Sequence, residues 1–136
     1  MSHRSQSTWC FNFKQQFVAD VESGKKRQTI RALRKDGRLP TVGDTVKCYT
    51  GLRTKQTRLL NTGDVIHVAR ICLVFDTSMV FLNGCALKDD EAATFATDDG
   101  FRDATNMMWW FKSQYGGQQF EGFCTVWNPT GEVRST

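Results

Sequence analysis

In the stretch STWCFNF, Ser7–Phe13, the apolar residues Trp9, Phe11 and Phe13 alternate with Cys10 and Asn12. A period of two predicts a strand with one buried face. The period changes after Lys14, where Phe17, Val18 and Val21 recur at helical spacing and Ser23-Gly24 supplies a stop. A short helix therefore leads into GKKRQTIR, Gly24–Arg31. Within it Thr29, Ile30 and Arg31 resume strand alternation, with Ile30 turned inward and Thr29 and Arg31 sharing the other face. The following RKDGRLPTVGD is turn-rich through Gly37, Pro40 and Gly43.

Further strands are predicted over Thr45–Thr50 and Val65–Phe75, with MVFLN pairing back across the Asp76-Thr77-Ser78 turn. Arg58–Leu60 adds a short strand, and Phe123–Trp127 a last one. LKDDEAATFA reads as a short helical piece. FRDATNMMWWFKSQYGG reads as a helix with Asp103 as N-cap, Met107, Met108, Phe111 and Tyr115 on one stripe, and Gly116 as its end. Trp109 and Trp110 cannot both face inward, so one of them is exposed. Five or six strands with peripheral helices give an α+β class: a small, strongly bent sheet or β-barrel, whose closure removes exposed edges. The order is not βαβ, which disfavours a doubly wound sheet.

The 136 residues suffice for one domain with a real core. The expected boundaries are a loose N-terminus at 1–8, a single domain at 9–128 and a tail at 129–136. No apolar run approaches the roughly 18 residues of a membrane span, and MSHRSQSTW lacks the apolar stretch of a secretory signal. A soluble, cytoplasmic protein is expected. The five cysteines form no CxxC pair, and His3 and His67 have no partner at metal spacing. Neither a disulfide framework nor a zinc site is expected, and no cofactor is implied.

Charge changes the picture more than composition does. Residues 1–70 carry 14 Lys/Arg against 5 Asp/Glu, whereas residues 71–136 carry 4 against 9. Lys25–Arg38 is the densest part, with seven basic residues and one acid, Asp36. Such a patch fits either an RNA- or nucleotide-facing surface or an ordinary solvated loop. YTGLRTK, Tyr49–Lys55, ends a strand with an aromatic and two cations. Tyr49 is placed to stack on a base and Arg53 and Lys55 to hold phosphate or sugar, unless Gly51 marks a plain turn with a solvated tip.

No Walker loop, GxGxxG, GxSxG or convincing Cys–His pair is present. Candidate chemistry therefore comes from Lys, Thr and carboxylates. A Thr hydroxyl is a weak nucleophile that needs a base beside it. A lysine serves as that base only when its pKa falls toward neutrality, which neighbouring cations and burial both favour. Lys26 stands three residues before Thr29, so in a regular strand the two point to opposite faces. They converge only if Lys26–Gln28 is a turn or bulge. Otherwise Lys26 is a solvated phosphate contact and Thr29 an ordinary strand residue.

The order F…F…V..GKK.QTIR, then GDTV..YTGLRTK..R, then a carboxylate-Gly-Phe ahead of a Met/Trp/Phe helix, resembles the ASCH domain family over Trp9 to Asn128. The resemblance implies a PUA-like β-barrel and a link to RNA. In the branch that hydrolyses the acetyl amide of N4-acetylcytidine, it implies a Lys proton acceptor, a Thr nucleophile and an acidic proton donor. Those positions fall here on Lys26, Thr29 and Asp99, with Asp98 as the fallback acid and with Lys25, Arg27 and Arg31 beside them. The family has Glu where Asp99 stands. The side chain is one methylene shorter, which sets its carboxyl back by about 1–1.5 Å, and displacements of that size weaken catalysis. The chain is also longer than the compact amidohydrolases, chiefly at Arg31–Thr45, YTGLRTK and the late helix. Three activities follow as expectations: an amidohydrolase acting on a modified pyrimidine nucleoside, a non-catalytic RNA-binding module, or a ribonuclease.

Overall fold

The computed structural model describes residues 6–130. The expectations for 1–5 and 131–136 lie outside the described residues. The fold is mixed α+β, with seven strands and three helices among the described residues. They are β1 (Thr8–Asn12), α1 (Gln15–Glu22), β2 (Gln28–Ala32), β3 (Thr45–Thr50), β4 (Arg58–Val74), β5 (Met79–Leu82), β6 (Cys85–Ala86), α2 (Asp89–Asp98), α3 (Ala104–Tyr115) and β7 (Gln119–Pro129). Seven strands replace the expected five or six. Arg58–Leu60 and Val65–Val74 belong to one long strand, and β6 adds a two-residue strand. The polar run Asn61-Thr62-Gly63-Asp64 does not break β4, because Asn61 finds its partners inside. Its side-chain amide donates to the Val21 carbonyl at 3.2 Å and its oxygen accepts the Thr62 N–H at 2.9 Å.

The chain folds into two compact units. Among the described residues the first comprises 6–27, 40–67 and 126–130, and the second 28–39 and 68–125. In the first, β1 pairs parallel to β3 and β3 pairs antiparallel to the start of β4. The burial of β1 alternates as its sequence does, with Trp9 and Phe11 inward. Phe17, Val18 and Val21 form the buried stripe of α1, and Gly24 at φ +82° ends that turn. Asp44 is fully buried and takes three donors: Ser7 N–H at 3.2 Å, Trp9 Nε1 at 3.0 Å and Thr41 N–H at 2.9 Å. A buried carboxylate needs such donors, and here they fasten the segment before β1 to the turn before β3. Trp127, also fully buried, packs 6.2 Å from the Phe13 ring. It lies so close over Gly63 that a Cβ there would meet its ring at 2.5 Å.

In the second unit the end of β4 pairs with β5 and β5 with β6, both antiparallel, while β2 pairs with β7. Helix α2 opens with Glu91 accepting the Lys88 N–H at 2.8 Å. Its C-terminal end is a Schellman turn: Gly100, at φ +95°, donates to Thr97 O, and the next N–H, of Phe101, to Ala96 O. Buried Phe101 then packs on Trp110 and Phe111 of α3. As its spacing predicts, α3 starts on Asp103, whose side chain accepts the Asn106 N–H at 2.7 Å. Met107, Met108 and Phe111 are buried. Tyr115 is half exposed, yet its ring stacks on Phe111 and lies 4.7 Å from Phe120. Of the two tryptophans, Trp109 is the exposed one. All five cysteines sit on strands and are unbridged.

Candidate functional site

Strand β2 and the turn before it carry the reactive-looking residues, and local sequence explains their placement. Gly24 turns the chain out of α1, and the Lys26 N–H reaches back to Asp20 O at 2.8 Å. Lys26 and Arg27 thus precede the regular strand, which begins at Gln28. From there Gln28, Thr29 and Ile30 are all buried. Lys26 belongs to the first unit, and Thr29 and Asp99 to the second.

Lys26 is only 3% exposed. Its ammonium sits over two aromatic faces of the first unit, 5.0 Å from the Phe17 centroid and 5.8 Å from that of Phe13. Both distances fall within cation–π range. Burial on this scale is rare for lysine, which ordinarily keeps its head group in water.

In the second unit, Thr29 is 4% exposed and its hydroxyl oxygen accepts a hydrogen bond from Arg31 Nε at 3.1 Å. The i, i+2 spacing places both on one face of the strand. A guanidinium donating to a hydroxyl oxygen favours negative charge on that oxygen and leaves the hydroxyl proton available to another acceptor. Asp99 is also 4% exposed and caps the C-terminal end of α2, so the Schellman turn fixes its backbone. Gln28 Nε2 donates to Asp99 Oδ1 at 3.1 Å and to Phe95 O at 3.2 Å. This amide ties β2 to the end of α2. Gln28 escaped the sequence reading. Its only signal was a polar residue at the first inward position of a strand whose neighbours are polar as well. Asp98, the fallback acid, is exposed.

The remaining candidates are distributed along the surface. Lys25 and Arg27 are exposed, and Arg27 Nε donates to Gly24 O at 2.7 Å. Tyr49 is half-buried on β3, whereas Arg53 and Lys55 are exposed in the loop after it. Within the basic loop, Arg34 forms a two-pronged pair with Asp36, which also accepts the Arg38 N–H. The Arg34 guanidinium chiefly, and then the Arg38 N–H, hold the Asp36 carboxyl down at about 2. Burial, with a smaller push from Glu121, raises the Cys72 thiol. No group of His, Cys, Asp and Glu among the described residues could hold a metal ion. No helix among them is long and apolar enough to cross a membrane. No family model, curated protein or solved structure matches the chain, so the functional reading rests on these side chains.

Proposed function

We propose that the chain is a hydrolase that cleaves the acyl amide of a modified pyrimidine nucleoside of the N4-acetylcytidine type, in a small PUA-like barrel of the ASCH kind. The observation that carries this reading is the buried Thr29 hydroxyl, engaged by the Arg31 guanidinium at 3.1 Å. A bystander threonine on a strand needs no cation on its oxygen, whereas a nucleophile gains from one.

In the proposed reaction Lys26, three residues earlier in the chain, takes the Thr29 proton as the hydroxyl oxygen bonds to the acyl carbon. Arg31 steadies the oxygen as it loses the proton. The carbon–nitrogen bond then breaks, and Asp99, held by Gln28, gives a proton to the departing nitrogen. Water hydrolyses the acyl–Thr29 ester, releasing acetate and restoring the hydroxyl. Incubation with N4-acetylcytidine should release cytidine. Lys26→Ala should lower kcat by about 10²–10⁴-fold, the span of general-base contributions, and Thr29→Ala should abolish turnover. Equal cytidine release by wild type and both variants removes the mechanism.

A second reading, a non-catalytic RNA-binding module, draws on charge. The described residues of the first unit hold eight Lys/Arg against four Asp/Glu. On that reading binding weakens steeply with salt and no cytidine appears.

A further inference from the structure

Three of the first unit's eight described cations, Lys14, Arg53 and Lys55, follow closely on the ends of β1 and β3. Gln6–Ala19 contains Lys14 and no acid, and Thr45–Thr57 contains Lys47, Arg53 and Lys55 and no acid. Three hydrogen bonds tie these segments together: Leu52 N–H to Asn12 Oδ1 at 2.9 Å, Phe13 N–H to Tyr49 O at 2.8 Å, and Thr50 Oγ1 to Phe13 O at 3.0 Å. Lys14, Tyr49 and Arg53 therefore each lie within a few residues of the same junction. Of the unit's acids, Asp44 is buried among its donors and Glu22 pairs with Arg58.

The loop that carries Arg53 and Lys55 is built rather than loose. Gly51 O accepts from Thr54 Oγ1 at 2.6 Å and from Thr57 Oγ1 at 2.8 Å, and Thr54 Oγ1 accepts the Gln56 N–H at 3.0 Å. Gly51 takes a left-handed conformation at φ +66°, the natural use of glycine. Arg53 adopts φ +66° as well, where a side chain costs backbone energy. Neither Arg53 nor Lys55 makes a side-chain hydrogen bond or ion pair among the described residues, so the described fold makes no use of their charges.

We infer that the Gly51–Thr57 loop, with Lys14 and Tyr49 beside it, is a contact surface for the phosphodiester backbone of single-stranded nucleic acid. The charges supply the complement to phosphate, and Tyr49 offers a ring at the same junction. An anionic lipid surface is the weaker match, because membrane-surface binding adds buried apolar side chains to cations. The exposed large apolar residues of this unit, Val42 and Ile66, lie at the other end of β3, where Gly43 N–H meets Val65 O. The inference rests on the nucleic-acid side of the function proposed above and not on the acyl chemistry.

The test is binding of a fluorescent 12-mer of oligouridylate across a salt series, with vesicles of phosphatidylcholine and phosphatidylserine in parallel. Arg53→Gln and Lys55→Gln should each weaken RNA binding roughly threefold or more and flatten the slope of log K against log salt by about 0.7. Lys112→Gln, the same charge change on α3 of the second unit, should leave binding as it is. Arg53→Gly should weaken RNA binding while raising the thermal midpoint, because glycine removes the backbone cost. Wild-type affinity and slope in both glutamine variants, or binding to the vesicles without binding to RNA, would overturn the inference. Cytidine release from the free nucleoside is read separately. A wild type that binds RNA through Arg53 yet releases no cytidine removes only the hydrolase reading.

Discussion

Asp36 shows how a single side chain tempers the most basic stretch of the chain. Its carboxyl is held at about 2, against an ordinary 3.8, by the Arg34 guanidinium first and the Arg38 N–H second. The folded value lies below the unfolded one, so the linkage favours the folded loop above about pH 4 and fades as pH falls through about 2. Because the pair is exposed and screened by solvent, its contribution is local. Carboxyl-resolved NMR should give a midpoint of about 2 for Asp36, returning toward 3.8 in Arg34→Gln, and a wild-type midpoint at 3.8 would contradict the pairing. The same scale shows what sequence could and could not reveal about the site. The Thr29–Arg31 contact was legible because strand residues two apart share a face. The Gln28–Asp99 contact, 71 residues apart along the chain, was not, since no spacing rule reaches that far. Asp99 entered only through the family resemblance, and Gln28 entered through neither route.

Among the elements, α1, α3, β1 and β3 were readable because their apolar period is regular, with Ser23-Gly24 as a stop for α1 and Asp103 as a cap for α3. The polar middle of β4 was not readable. Asn61, Thr62 and Gly63 look like a turn, but Asn61 bonds inward and Gly63 leaves room for Trp127. The parallel pairing of β1 with β3 was likewise hidden, since the sequence between them does not fix which strand β1 joins. Where β2 meets β7, glycine is again decisive. A Cβ on Gly122 would collide with the Arg31 carbonyl oxygen and come within 2.8 Å of the Phe120 ring. Gly122→Ala should therefore destabilise the protein by about 1–3 kcal/mol or more, the range for forced overpacking. The urea midpoint reads this directly, and an unchanged midpoint would mean the strands have slack that the geometry denies.

At the scale of the whole chain, neither compact unit is a continuous stretch of sequence. The backbone passes from one to the other at 27/28, 39/40, 67/68 and 125/126, the last two passages lying inside β4 and β7. Residues 68–125 alone lack β2, the partner of β7 in that unit. Expressed alone, that fragment should show no cooperative thermal transition by circular dichroism, and a sigmoidal melt with a native-like aromatic spectrum would refute this. The interleaving also bears on inheritance. The shortest gene segment encoding all of the described second unit, residues 28 to 125, also encodes the middle of the first. Neither unit can be shuffled into another protein as a self-contained cassette, and a recombination point inside β4 would sever both at once.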